Sequence, residues 1–479
     1  MNYPGSLHNH TDYSNAALGF RDSINTIKSL IDYAIELNHE VIAITDHEFV
    51  GNAVKIEQYA NKVKDKIKVI RGNEIYLCRN GLNNENFTDK DKYYHFILLA
   101  RDRIGYEQLM ELSTRAWKRS YISKRLRRKP TYYSDLEEII GGNPGHVIGS
   151  TACIGSAIGT QLLEYKRTND PDLYQQIINW CKYLENIFGK GSFFLELQPS
   201  ASKEQHYVNK ELFKLSLSLD IPYIITCDAH YLKKIDADIH AAYLNSQSDA
   251  DREVKEFYSG TYLMSTEEVE GYMKEYFTKK EFEVAYNNIL KIKDMCEDFS
   301  IMKPLRIPEL TWKIPSLKLE DITPDWYMRI PYLKKFAESS FEGDRVLIRA
   351  IMDRVFRDST LQNEETYNEI NIELESTWIS SEVNKAHWSS YYLNLQKIID
   401  TCWEAGSIVG PGRGSATGSL SNYLLGITQL DPIRWDIKYW RFLNKERAEL
   451  PDIDIDLAPS KRPAIFKAIR EERGEFGLV

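Results

Sequence analysis

The segment Tyr223-Ile-Ile-Thr-Cys-Asp-Ala-His230 joins a short apolar run to a carboxylate and an imidazole. Its first part, residues 223–227, has the length and the β-branched content of a buried strand. Asp228 and His230 follow at once, and a spacing of two places their side chains on one face of an extended chain. The segment therefore predicts a strand whose carboxyl end carries two candidate metal ligands.

Two segments near the amino terminus place histidines in the same way. His8 and His10 share one face of an extended segment, and the predicted strand 41–45 is followed directly by Asp46 and His47. The carboxyl ends of parallel strands meet at one rim of a barrel, where active sites of that architecture form. We therefore expect these side chains to converge.

The first 240 residues alternate short apolar strands with amphipathic stretches such as 24–38 and 207–219. This rhythm predicts a largely parallel sheet with crossover helices, either an α/β barrel or an open sheet. The predicted strands are 41–45, 68–77, 95–100, 146–151, 193–197 and 223–227.

The pattern becomes helical after about residue 245, and prolines interrupt it near residues 303–317. We predict three domains: residues 1–245, a helical connector at 246–315, and a third domain at 316–479.

Three other candidate ligands, Glu74, His95 and Cys153, lie in or beside predicted strands. Imidazole, carboxylate and one thiolate together suit zinc, manganese or iron rather than calcium. Several such ions held close together activate water and neutralise phosphate, as phosphoester hydrolysis requires. A single histidine would more often be a hydrogen-bonded core residue, so the prediction depends on the joint pattern.

A second cluster begins with Gly410-Pro-Gly-Arg-Gly-Ser-Ala-Thr-Gly-Ser419, after a predicted strand at 407–409. Such a loop exposes backbone N–H groups that bind phosphate. A predicted helix at 420–425 follows the loop. A tight turn is the alternative for this loop taken alone. In Pro451-Asp-Ile-Asp-Ile-Asp-Leu457, however, three carboxylates alternate with apolar side chains. Acids on one strand face repel each other unless divalent cations bind them, so we predict a site for two magnesium ions rather than a charged edge strand.

Composition restricts the function class. The formal charge of -9 argues against a protein that coats nucleic acid nonspecifically. We find no apolar run long enough to span a membrane and no signal peptide, so we expect a cytoplasmic protein with reduced cysteines. The basic stretch 115–129 is either a solvated helix face and loop or a contact for a phosphate backbone.

The first 240 residues resemble the polymerase and histidinol phosphatase (PHP) domain, an α/β barrel with a metal cluster. The resemblance implies the ligands His8, His10, Asp22, His47, Glu74, His95, Cys153, Asp228 and His230, with about three zinc or manganese ions. Asp22 follows a short apparent insertion, and Asp12 competes with it for the same role.

The glycine loop and the aspartate segment resemble the palm of the bacterial DNA polymerase III alpha subunit, a nucleotidyltransferase-type fold. The resemblance implies that Arg413, Gly414 and Ser415 contact the incoming triphosphate. It also implies that Asp454 and Asp456 hold catalytic Mg²⁺, with Asp452 in support.

The resemblance implies a fragment of a replicative DNA-directed DNA polymerase whose PHP domain acts as a 3′–5′ exonuclease or hydrolyses pyrophosphate. Expected partners are primer-template DNA, deoxynucleoside triphosphates, the carboxyl-terminal remainder, and the sliding clamp with other replisome subunits. Because the third palm carboxylate of the family lies further downstream, we expect no primer extension by this chain alone. The alternatives are a free-standing phosphoesterase or pyrophosphatase with a non-catalytic palm remnant, and a non-enzymatic interaction subunit.

Overall fold

The computed structural model describes residues 2–19, 21–78, 93–123, 126–246, 258–303, 307–308, 319–444 and 452–473. The chain divides into two compact units, residues 1–302 and 303–479. Residues 258–302 thus belong to the first unit, and most of the predicted proline-rich connector lies outside the described residues. The three-domain division remains a prediction.

The first unit contains a seven-stranded sheet with the order β1-β2-β3-β7-β8-β9, in which β6 also pairs with β2. A separate hairpin is formed by β4 and β5. The strands are β1 (Val41–Ile44), β2 (Lys68–Cys78), β3 (Tyr93–Ala100), β4 (Tyr121–Ser123), β5 (Leu126–Arg128), β6 (Thr131–Tyr132), β7 (Val147–Ser150), β8 (Phe193–Leu197) and β9 (Tyr223–Ile225). Each of the six strands predicted in this unit is present, with ends that differ by up to two residues.

The sheet is mixed, because β3 runs antiparallel to both β2 and β7 while the other pairs within it are parallel. The prediction of a largely parallel sheet was therefore wrong at β3. It assumed that helices separate the strands, but β2 and β3 follow each other in the chain and pair directly as a long ribbon.

Helices cover the sheet and supply the other half of the apolar core. The helices of this unit are α1 (Asp12–Leu18), α2 (Ile27–Glu36), α3 (Ala53–Val63), α4 (Arg103–Lys118), α5 (Tyr133–Leu136), α6 (Ala157–Thr168), α7 (Pro171–Phe188), α8 (Lys203–Leu219), α9 (Ala237–Asn245), α10 (Thr266–Met273) and α11 (Lys279–Met295). The predicted stretches 24–38 and 207–219 correspond to α2 and α8, whose first turns are capped by the hydroxyls of Thr26 and Ser202.

Residues 4–10 connect the two edges of the curled sheet, and we call this segment the seam. On one side, the N–H groups of Val41 and Ala43 donate to the carbonyls of Pro4 and Ser6, both at 3.1 Å. On the other side, the N–H of His10 donates to the carbonyl of Ala229 at 3.0 Å. The seam therefore favours the barrel of the two architectures that the sequence allowed.

The second unit is helical in the residues that the structure describes. Its helices are α12 (Pro324–Arg329), α13 (Pro331–Ala337), α14 (Glu342–Arg357), α15 (Glu364–Asn384), α16 (Trp388–Glu404), α17 (Leu420–Leu424) and α18 (Arg462–Arg473). The two strands predicted at 407–409 and 451–457 are extended segments joined by a single bridge between Val409 and Leu457. Regular strands need a longer ladder of hydrogen bonds than the described residues form here.

The basic stretch 115–129 is largely engaged within the protein where it is described. Arg115 forms two hydrogen bonds with the carboxylate of Glu138, at 2.7 and 2.8 Å, and Arg119 pairs with Asp135. Lys129 is buried and donates to the carbonyl of Ala17. These contacts favour the reading as a helix face and loop. No helix of the described residues is long and apolar enough to cross a membrane.

Replacing Gly5 by alanine should open the seam. A Cβ at Gly5 would lie 1.8 Å from the carbonyl oxygen of Val41, and its φ of 135° is strained for any other residue. We expect Gly5→Ala to lower the free energy of unfolding by at least about 2 kcal/mol in urea titrations. Gly19→Ala is the control, because Gly19 also has a positive φ, of 75°, but its Cβ would meet nothing within 4 Å, so it carries the backbone strain without the clash. An equal loss in both variants would contradict the role of the seam.

Candidate metal centre and glycine-rich loop

The nine ligands implied by the sequence lie together in the first unit. They come from the seam, from strands β2 and β3, from the segments that follow β1, β7 and β9, and from the turn after α1. All are buried except His95, whose side chain is 27% exposed.

The side chains form three overlapping groups whose ligand atoms lie within 4.8 Å of one another. The groups are His8, His10, Glu74 and Asp228; His10, Asp22, His47 and His230; and His47, Glu74 and His95. Within the first group, Nε2 of His10 lies 2.9 Å from Oε2 of Glu74, and Nε2 of His8 lies 3.1 Å from Oδ1 of Asp228. Three groups with shared members offer more ligands than one tetrahedral site uses.

Cys153 adjoins the third group, with its Sγ 3.4 Å from Nδ1 of His95. Burial raises the pKa of the Cys153 thiol, and the nearby carboxylates of Asp228 and Glu74 raise it further. The thiol is therefore protonated until a cation compensates the charge of the thiolate.

The structure distinguishes between Asp22 and Asp12. The carboxylate of Asp22 is buried, 3.4 Å from Nε2 of His230 and 3.6 Å from Nε2 of His47. Burial alone would raise the pKa of Asp22, but His230 and His47 hold it well below its usual range. Asp12 is the exposed first residue of α1. The structure thus brings Asp22, and not Asp12, to the other ligands.

Buried polar atoms without hydrogen bonds show that this site suits cations. Oδ2 of Asp22, Nδ1 of His47, Oε1 of Glu74 and Oδ1 of Asp228 are buried and make no hydrogen bond of good geometry, although each has a charged or imidazole group of the cluster within 2.6–3.6 Å. Leaving such groups unsatisfied costs about 1–3 kcal/mol each, more for charged groups. In addition, Nε2 of His8 and Nε2 of His10 face each other at 3.2 Å. Two ring nitrogens and free carboxylate oxygens directed at a common space are the donor set of a metal site.

Glu196 orients His8 and was missed by the sequence analysis. Its Oε1 lies 2.7 Å from Nδ1 of His8 and accepts from the hydroxyl of Thr226, while its Oε2 accepts from the hydroxyl of Ser150. A carboxylate that takes the Nδ1 proton leaves Nε2 free for a metal. The available signal was a glutamate inside the apolar strand β8, because lone charges are almost never fully buried.

Asp46 has a similar supporting role. Its carboxylate accepts from the N–H and hydroxyl of Thr11 and from the hydroxyl of Ser14, at 2.6, 2.7 and 2.8 Å. Oγ of Ser14 lies 3.1 Å from Nδ1 of His10. Asp46 thus fixes the serine that orients His10.

In the second unit, Arg413 lies beside the aspartate segment. Its Nη1 is 3.1 Å from Oδ1 of Asp456, and its Nε is 3.9 Å from Oδ2 of Asp454. Both carboxylates are more than half exposed, as is Arg413. Asp452 is also exposed, whereas the alternate side chains of Ile453, Ile455 and Leu457 pack against the core. The exposure therefore follows the alternation that the sequence predicted.

The helix that follows the loop binds an internal carboxylate. Glu373 of α15 is buried and accepts from the N–H groups of Leu420 and Ser421, at 2.5 and 2.8 Å, and from the hydroxyl of Ser419 at 2.9 Å. Burial raises the pKa of Glu373 to about 7. The first donors of this helix are therefore already used, and phosphate binding stays a prediction for the loop before it. The loop itself, in which Gly414 has a φ of 61°, is the remaining candidate site for an anion.

Comparisons with known proteins match both units. Residues 6–200 match the PHP domain family, and residues 345–477 match the bacterial DNA polymerase III alpha NTPase domain. A probable DNA polymerase of Bacillus subtilis strain 168 is 38% identical over 98% of this chain. The DNA polymerase III alpha subunit of Aquifex aeolicus is 29% identical over 99% of this chain.

The chain spans 37% and 38% of the lengths of these two relatives. Among solved structures, a metal-dependent phosphoesterase from Bifidobacterium adolescentis covers 57% of this chain at 12% identity. Its TM-score of 0.31 is too low to support an argument.

Replacing Glu196 by glutamine should weaken metal binding while the side-chain volume is retained. The amide removes the charge that holds the Nδ1 proton of His8, and such changes typically cost 10–100-fold in metal affinity. Titration of the chelator-treated protein with manganese or zinc measures this, with Glu275→Gln at an exposed position as the control. Unchanged affinity in Glu196→Gln would show that Glu196 does not support the site.

Proposed function

Because this chain is homologous over nearly its whole length to bacterial DNA polymerase III alpha subunits, we propose that it is part of a replicative DNA-directed DNA polymerase. The observation that carries this proposal is the pair of exposed carboxylates, Asp454 and Asp456, beside the glycine-rich loop and Arg413. A scaffold has no use for exposed acids clustered in this way, whereas nucleotidyl transfer requires them.

In the proposed reaction, template-dependent nucleotidyl transfer, Asp454 and Asp456 would hold Mg²⁺, which would supply neutralisation of charge on the triphosphate and on the leaving pyrophosphate. Arg413 leaves Asp456 to contact the phosphates, and backbone N–H groups around Gly414 and Ser415 orient them. The partners of the whole protein are then primer-template DNA, deoxynucleoside triphosphates, the rest of the polymerase, the sliding clamp and other replisome subunits. Such a protein works in the cytoplasm of a bacterium.

For the PHP unit we propose removal of nucleotides from DNA 3′ ends, with pyrophosphate hydrolysis as the second candidate. The overlapping ligand groups support zinc or manganese, in about three ions, which supply an activated water and charge neutralisation when bound. Glu196 and Ser14 keep the imidazoles of His8 and His10 turned towards the shared space. The alternative to the polymerase hypothesis is that the chain is a free-standing phosphoesterase. Under that hypothesis Asp454 has no role.

Triphosphate binding tests the palm. We expect the chain to bind a deoxynucleoside triphosphate more tightly with magnesium than with a chelator. Arg413→Ala should weaken binding about tenfold, because a charge-assisted hydrogen bond is lost. Asp454→Asn should abolish the gain from magnesium. Arg470→Ala, on the exposed face of α18, is the control in the same calorimetric titrations. If the wild-type chain shows no binding, the palm assignment fails.

Hydrolysis tests the PHP unit. A labelled primer, or pyrophosphate, is incubated with the protein and manganese or zinc. We expect Asp228→Ala to lose at least about 100-fold in rate, because it removes a ligand atom directed at the first group. Folding is checked by circular dichroism. Full activity in Asp228→Ala would identify a contaminant as the source.

A further inference from the structure

The main chain at Asp22 is held on both sides by residues that no ligand pattern contains. Asp22 follows α1 and the turn at Gly19, and its carboxylate points towards His47 and His230. A ligand carried on a turn rather than on a strand needs other contacts to fix its position.

Asn15 of α1 fixes the main chain at Asp22 and at the residue after it, Ser23. Its Oδ1 accepts from the N–H groups of Asp22 and Ser23, at 2.6 and 2.9 Å. Its Nδ2 donates to the carbonyl of Ser23 at 2.8 Å and to the hydroxyl of Tyr243 at 3.0 Å. These four bonds use the full hydrogen-bonding capacity of the amide.

His240 of α9 fixes the carboxyl side. Its Nε2 lies 2.5 Å from the carbonyl oxygen of Asp22. Because a carbonyl only accepts, Nε2 carries the proton. His240 is 1% exposed, and its other ring nitrogen makes no hydrogen bond. Tyr243 lies on the same helix, so α9 contacts Asp22 directly and also through Asn15. Residues 237–245 lie beyond the stretch that matches the PHP family.

We propose that Asn15 and His240 are positioning residues that set the affinity of one ion, the one bound by Asp22, His10, His47 and His230. The inference rests on the proposed metal centre and adds that helices α1 and α9 control one of its ions. Neither residue binds that ion. Both act through the main chain of Asp22.

Manganese titration of the chelator-treated protein tests this in wild type, Asn15→Ala, His240→Ala and Asp22→Asn. We expect each variant to lower the affinity for the same single ion about 10–100-fold and to leave the affinities for the other ions unchanged. Asp12→Asn is the matched control on α1, because that carboxylate is exposed and should leave every ion in place. The double variant Asn15→Ala with Asp22→Asn should bind manganese as Asp22→Asn alone does, because Asn15 acts only through Asp22.

Thermal unfolding in chelator separates positioning from a general structural role. A lower melting temperature in Asn15→Ala and His240→Ala, together with unchanged manganese affinities, would overturn the inference. Additive losses of affinity in the double variant would also overturn it. If wild type binds no manganese, the metal centre itself fails and the inference fails with it. If instead wild type binds its ions and both variants bind them with the same affinity, the metal centre stands and only the inference fails.

Discussion

The backbone hydrogen bonds of the seam, residues 4–10, are the constraint on which the metal centre depends. The seam bonds to β1 on one side and to Ala229 on the other. His8 and His10 lie on it, so their imidazoles can face Glu74 and Asp228 only while both sets of bonds hold. Without the seam, these two carboxylates would be buried with fewer imidazoles near them, at high electrostatic cost.

The electrostatics of the site follow from that burial. Burial alone would lower the pKa of His10, but the carboxylates of Asp228 and Glu74, at 3.2 and 2.9 Å from its Nε2, raise it to about 10. His47 shows the opposite balance, because its burial lowers the pKa to about 3 despite the neighbouring Glu74. Some imidazoles therefore carry protons that a bound cation would displace, so metal binding here releases protons.

The two candidate sites are built differently. In the first unit, the candidate ligands other than His95 are buried, and several are oriented by a further residue, such as Glu196 for His8. In the second unit, Asp454 and Asp456 are exposed, and the buried carboxylate of Glu373 holds the residues after the loop instead. A buried cluster is suited to resident ions, whereas exposed carboxylates are accessible to ions that arrive with a substrate.

Local patterns in the sequence were sufficient to predict the strands, the histidine and aspartate pairs at their ends, and the alternation at Asp452–Asp456, because strand periodicity is a short-range property. Pairing between distant segments was not predictable in this way. The antiparallel course of β3, the seam and the choice of Asp22 over Asp12 all depend on hydrogen bonds between residues far apart in the chain. The same holds for Glu196, Glu373, Asn15 and His240, whose partners become neighbours only in the folded protein. The sequence by itself thus determined which side chains are suited to bind metal and phosphate. Only the tertiary structure decided which of them meet and what holds them there, because these contacts join segments that no local pattern relates.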